Sequence, residues 1–120
     1  MIFGTGIDLT EISRIDQMQV KHPHFADKVL TSKELLQYDQ LKGQSKREFL
    51  AGRFSLKESF SKAYGTGIGE QLSFQDIEIL NNEVGRPILT HTVFDGEAHV
   101  SVSHIHDLVV TQVILEKESV

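Results

Sequence analysis

A chain of 120 residues with 39% hydrophobic and 24% charged residues has the make-up of an ordinary globular protein and the length of one domain, which we place over residues 1–120. Its net charge of −5 argues against general nucleic-acid binding, because a surface that neutralises phosphates needs a basic excess. The absence of cysteine excludes disulfides and thiolate metal sites and is compatible with a cytoplasmic protein, and no apolar run is long enough to span a membrane.

The chain opens on a short strand, residues 2–9, that carries Gly4 and Gly6 and ends near Asp8. No basic region precedes its apolar residues, so it reads as a first strand and not as a signal peptide. A helix is predicted from Thr10 or Glu11 to Val20, then a break at Pro23 and a second helical piece over residues 24–30. Arg14, Lys21 and Lys28 recur every seven residues with Met18 and Phe25 beside them. If helical geometry persists past Pro23 they form a basic stripe with apolar anchors; a plain solvated helix face has the same pattern. Thr31 and Glu34 have the spacing of a capping box, so a further helix should run through Leu35, Leu36 and Tyr38, with Gly43 as its end.

Residues 46–64 form the strongest predicted helix: there is no proline, one internal glycine (Gly52), and Phe49, Leu50, Phe54, Leu56, Phe60, Ala63 and Tyr64 recur at helical spacing. On a wheel of about 100° per residue, Arg53, Lys57 and Ser61 fall in one line inside the apolar arc. A buried cation without a partner is costly, so this stripe asks for an anion. Glu58 and Lys62 stand beside it one turn apart, which also fits a solvated ion pair worth only about 0.2–0.5 kcal/mol. The helix stops at a loop containing Gly65, Gly67 and Gly69, readable either as a plain helix stop or as a place where backbone amides approach a ligand.

Beyond the loop the period changes from about 3.6 to 2. Residues 74–80 read as a strand, residues 81–85 as a turn, and Arg86, Pro87, Ile88 and Leu89 as the start of its return. The pair Asp95 and Gly96 predicts a hairpin between residues 92–94 and the alternating strand 99–104, and residues 108–115 form a last, valine-rich strand. Helices mainly precede antiparallel strands, so the fold class is α+β, with helices packed on a small antiparallel sheet.

Two carboxylates carry the chemical reading. Asp8 at a strand end is a common turn or cap residue. Paired with Glu58, however, it supplies the hard oxygen donors that suit magnesium, which takes one or two protein carboxylates, waters and substrate phosphate oxygens. With Arg53, Lys57 and Lys62 these residues make up equipment for phosphoryl transfer.

The motifs that carry these residues resemble the paired signature of 4'-phosphopantetheinyl transferases, above all the short bacterial holo-acyl-carrier-protein synthases: Gly6-Ile7-Asp8, and then Phe54-Ser55-Leu56-Lys57-Glu58-Ser59-Phe60-Ser61-Lys62-Ala63. The resemblance extends over the whole chain through Glu48-Phe49-Leu50-Ala51-Gly52-Arg53, Gly65-Thr66-Gly67, Ser73-Phe74-Gln75-Asp76, the asparagine-rich turn with Gly85 and Pro87, and His99-Val100-Ser101-Val102-Ser103-His104. Ser59 stands where alanine is common and Val102 where isoleucine is common.

The resemblance implies a 4'-phosphopantetheinyl transferase fold and a magnesium-dependent transfer of phosphopantetheine from coenzyme A to a serine of apo-acyl-carrier protein, with release of adenosine 3',5'-bisphosphate, as in fatty acid biosynthesis. On it, Asp8 and Glu58 hold Mg2+, Glu58 or a water on the metal takes the serine proton, and Lys62 pairs with the pyrophosphate. Arg53 with Lys46 or Lys57 receives the 3'-phosphate. Ser61, Gly65, Gly67, Asn82, Gly85 and Pro87 shape the nucleotide pocket, and His104 touches the phosphates. It also implies a homotrimer with active sites at subunit boundaries, in keeping with a domain too small for a roomy cleft, and a docking role for Arg14, Met18, Lys21, Phe25 and Lys28 against the acidic carrier. His22, His24, His91, His99 and His106 read as surface or packing residues. Two other readings stay open: a magnesium-dependent hydrolase of a nucleotide pyrophosphate, and a non-catalytic nucleotide-binding trimer.

Overall fold

In the computed structural model, residues 1–118 are described, and the chain runs β1 (Ile2–Glu11), α1 (Ile12–Lys21), α2 (Phe25–Val29), α3 (Ser32–Asp39), α4 (Gly43–Tyr64), a 3₁₀ turn (Phe74–Asp76), β2 (Glu78–Asn81), β3 (Pro87–His91), β4 (Glu97–Ile105) and β5 (Leu108–Glu116). The α+β expectation holds. Strands β1, β5 and β4 form an antiparallel sheet in that order, and β2 and β3 form a separate two-stranded ribbon. Helix α4 lies across the three-stranded sheet. Gly4 and Gly6 allow this approach, because a Cβ on either would collide with the carbonyl oxygens of Ala63 and Ser59 on α4.

Two apolar clusters share α4. Ile12, Ile15, Val29, Leu30, Phe49 and Leu50 pack α1 and α2 on its first half, and Leu56, Phe60, Ile77, Ile79, Val113 and Leu115 pack the sheets on its second. Thr31 and Glu34 make the predicted capping box, with the Glu34 N–H donating to the Thr31 hydroxyl and the Thr31 N–H to the Glu34 carboxylate. Gly65 ends α4 in the left-handed conformation at φ 102°, its N–H donating to the Ser61 carbonyl.

The expected break at Pro23 is present, with α1 ending at Lys21 and α2 beginning at Phe25, so the condition for one continuous basic stripe is not met. Three local expectations are corrected. Gly43 does not end α3; at φ 61° it is the first residue of α4. Residues 74–76 form a 3₁₀ turn and β2 starts only at Glu78; the Ser73 N–H donates to Asp76 Oδ2 at 2.9 Å and the Asp76 N–H to the Ser73 carbonyl at 3.1 Å. The hairpin signalled by Asp95 and Gly96 does not form: β4 pairs with β5 through a turn at His106 and Asp107. Residues 92–96 instead deliver Phe94 to the core at 7% exposure, against Phe3 and Tyr64. Gly96 lets that turn press on the end of β5, where a Cβ would meet the Glu116 carbonyl.

Only one face of the three-stranded sheet is covered. On the other, Ile7, Leu9 and Ile105 stand 61%, 66% and 65% exposed, with Leu108 opposite Ile105. That is a large apolar surface for a chain of this size.

Candidate active site

The close approach of β1 to α4 places Asp8 over the helix. Its side chain points to the α4 side, where the Ser55 hydroxyl donates to Oδ2 at 2.8 Å and the Thr10 hydroxyl to the same oxygen at 2.6 Å. The Lys62 ammonium lies 3.3 Å from Oδ1 and donates to the Ile7 carbonyl at 2.9 Å. Glu58 lies between Ser55 and Lys62 in α4, one turn from each, and therefore shares their face. Among the described residues no hydrogen bond or ion pair engages its carboxylate. Burial raises the Glu58 pKa above the ordinary carboxylate range, the charge of Asp8 adds to the rise, and Lys62 opposes it. Asp8 thus meets Glu58 and Lys62 from a position far away in sequence.

This donor set fits a hard divalent cation. Two repelling carboxylates, one without a partner, face a single exposed ammonium, and a cation that binds both relieves the repulsion.

The predicted stripe of Arg53, Lys57 and Ser61 is buried as expected, but its anion is internal, which corrects the reading of these residues as nucleotide ligands. Lys57 Nζ lies 2.6 Å from Glu34 Oε1, with both side chains at 0% exposure, and also donates to the carbonyls of Val29 and Phe74. Burial pulls its pKa down and the Glu34 carboxylate holds it up. Arg53 donates from Nε to the Ile79 carbonyl at 2.6 Å and from Nη2 to Asn81 Oδ1 at 2.7 Å, tying the β2–β3 ribbon to α4. Burial takes this guanidinium down to about 10, against the opposing charge of Glu34. Ser61 is fully buried and donates to the Glu58 carbonyl. These side chains have spent themselves on the fold.

The remaining predicted ligands have contacts of their own. Lys46 Nζ sits 4.6 Å over the Tyr38 ring, and His104 Nε2 lies 3.6 Å from Glu48 Oε1. Gly65 and Gly67 form the turn after α4, both at positive φ, with open space where a Cβ would stand. In the β2–β3 turn the Asn82 side-chain oxygen accepts from Val84 and Arg86, Gly85 adopts φ 80°, and Pro87 starts β3.

The broken α1–α2 junction builds a groove of about 400 Å³ lined by Met18, Lys21, His22, Pro23, His24, Phe25 and Lys28. Four of the five predicted docking residues meet there; Arg14 lies outside it, exposed on α1. A larger cavity of about 750 Å³ is bordered by Asp95, Glu97, Glu116 and Glu118 together with Lys117 and Met1, so acidic groups outnumber cationic ones there.

The sequence reading missed Glu34 as the partner of Lys57, Thr10 and Ser55 behind Asp8, and His22 and His24 in the groove. For Ser55 and Ser59 a signal was present, two hydroxyls one turn apart inside an apolar arc; for Glu34 there was none beyond its capping role.

Comparison with known proteins bears out the class that this fold and site define. Residues 4–115 match the 4'-phosphopantetheinyl transferase superfamily. A holo-[acyl-carrier-protein] synthase of Limosilactobacillus reuteri is 56% identical over 119 residues, covering 99% of each chain. The crystal structure of a holo-(acyl-carrier-protein) synthase from Bacillus anthracis, in complex with CoA (3',5'-ADP), superposes with a TM-score of 0.91 at 46% identity, covering 98% of this chain and 99% of that one. That of the Helicobacter pylori holo-[acyl-carrier-protein] synthase, in complex with coenzyme A, gives 0.82 at 28% identity, over 93% and 99% of the two chains. The chain belongs to the 4'-phosphopantetheinyl transferase superfamily, and it is an enzyme of the holo-[acyl-carrier-protein] synthase kind.

Proposed function

We propose that this enzyme carries out a magnesium-dependent transfer of phosphopantetheine from coenzyme A to a serine of apo-acyl-carrier protein and releases adenosine 3',5'-bisphosphate. The convergence of Asp8, Glu58 and Lys62 carries the proposal. Asp8 and Glu58 hold Mg2+, which when bound neutralises charge on the pyrophosphate as the bridging bond breaks. Lys62, half exposed beside Asp8, pairs with the pyrophosphate. Glu58, or a water that it orients, takes the proton of the attacking serine hydroxyl. Lys46 and His104 serve the nucleotide phosphates, and Gly65, Gly67, Asn82, Gly85 and Pro87 border the pocket.

Arg14, Met18, Lys21, Phe25 and Lys28 form the docking surface. Its cations complement an acidic carrier although this chain is itself acidic. The uncovered sheet face supports a homotrimer in which neighbours complete each site, and among the described residues no helix is long and apolar enough to cross a membrane, in keeping with a cytoplasmic enzyme. The test is coenzyme A consumption with Mg2+ in the presence and absence of apo-carrier. Consumption that requires carrier supports the transferase, and equal consumption without it makes the enzyme a hydrolase.

A further inference from the structure

Behind Asp8 lie hydroxyls that the mechanism above does not use. Thr10, Ser55, Ser59 and Thr111 are 6%, 0%, 0% and 1% exposed. The Ser55 and Thr111 hydroxyl oxygens are 2.8 Å apart, those of Thr111 and Ser59 2.6 Å apart, and Thr10 and Ser55 both reach Asp8 Oδ2. Serines in helices commonly bond back to their own helix, as Ser61 does. Ser55 and Ser59 turn away from α4, toward β1 and β5.

The direction of this chain follows from donor counting. An ionised carboxylate only accepts, and each hydroxyl has one hydrogen. Thr10 and Ser55 therefore spend their hydrogens on Asp8. The Ser55 oxygen must then accept from Thr111, whose oxygen in turn accepts from Ser59; the 3.2 Å contact of Ser59 with the Thr111 carbonyl is the longer branch of that last hydrogen. From Ser59 through Thr111 and Ser55, the O–H dipoles point one way, toward Asp8 Oδ2, and each strengthens the next.

We infer that Ser55, backed by Thr111 and Ser59, is a positioning residue that makes Asp8 a one-oxygen metal ligand. Oδ2 is saturated by two buried donors, and only Oδ1, on the side of Lys62, is left for a cation. The arrangement suits a small octahedral ion such as Mg2+ or Mn2+ and disfavours Ca2+, whose larger and more flexible shell often takes both oxygens of a carboxylate. A group that orients a metal ligand in this way typically governs affinity by about 10–100-fold. The inference rests on the reading of Asp8 as a metal ligand.

The test is Mn2+ binding, followed by electron paramagnetic resonance of free Mn2+ with coenzyme A present and carrier absent, alongside thermal unfolding of each variant. Ser55→Ala should weaken Mn2+ binding about tenfold and reduce the preference for Mn2+ over Ca2+ in competition. Thr111→Val, nearly equal in volume but without the hydroxyl, should fall between wild type and Ser55→Ala, whereas Thr111→Ser, which keeps the hydroxyl and loses a methyl, should bind like wild type. A pure packing role predicts the reverse order for the two Thr111 variants, and that order overturns the inference even if Ser55→Ala fails to fold. Undiminished Mn2+ binding in Ser55→Ala and Thr111→Val overturns the positioning role alone. If wild type binds no Mn2+, the metal reading of Asp8 falls and the inference with it.

Discussion

Lys57 and Glu58 are adjacent in sequence and opposite in circumstance. The Lys57 ammonium is enclosed by Glu34 and two carbonyls, so removing it leaves Glu34 buried with only the N–H groups of Thr31 and Ile79. Lys57→Met should cost about 3–5 kcal/mol in urea unfolding, and Glu34→Leu added to it should restore only part of the loss, since it removes the unpaired charge but leaves the N–H groups of Thr31 and Ile79 without their acceptor. Glu58 has a raised pKa, so the folded protein holds this proton more firmly than the unfolded chain. Its contribution to stability is full at acid pH, below the ordinary carboxylate value, and fades as pH rises through the raised one. In chelator, Glu58→Gln should therefore unfold at a higher temperature than wild type at neutral pH, with the gap closing at acid pH. A constant gap would remove the electrostatic cause. The cation stripe itself was legible from helical spacing alone. Its partner was not, because Glu34 lies 23 residues away in another helix and also carries a capping signature.

Between elements, the contact of β1 with α4 decides the site. Gly6 meets the Ser59 carbonyl so closely that Gly6→Ala must push strand from helix, at about 1–3 kcal/mol, and carry Asp8 away from Ser55 and Lys62. Turnover should fall far more than the unfolding temperature; normal turnover in a folded Gly6→Ala protein would dissociate that contact from the site. At the α1–α2 junction, Arg14→Glu and Lys21→Glu should each raise KM for the carrier and leave KM for coenzyme A nearly unchanged, which steady-state kinetics with each substrate varied will show. Lys21 should weigh more, because it lines the groove and Arg14 does not. The helices, the capping box and the last strand were readable from period and caps. The hairpin signal at Asp95 and Gly96 does not hold, because this segment turns the Phe94 side chain into the core, an apolar burial that favours the observed course.

For the molecule as a whole, the change of period along the chain revealed the α+β class. Strand order stayed hidden, since β1 pairs with β5 from opposite ends of the sequence, Ile2 opposite Glu116. The bare sheet face is also a property of the assembled fold: Ile7 and Leu9 lie on β1 and Ile105 and Leu108 flank the β4–β5 turn, and only the register brings them together. If this face joins three copies, Leu9→Glu should yield folded monomers by sedimentation, with activity lost because each site needs its neighbour. An active monomer would confine the site to one subunit.

The central claim is that Asp8, Glu58 and Lys62 together perform the transfer to a carrier serine. Its most direct test is intact-mass spectrometry of apo-acyl-carrier protein after incubation with coenzyme A, Mg2+ and either wild type or Glu58→Ala, both checked for fold and assembly. The account predicts a single phosphopantetheine adduct with wild type and unmodified carrier with Glu58→Ala. An unmodified carrier in both, or equal adduct from the folded variant, would contradict it.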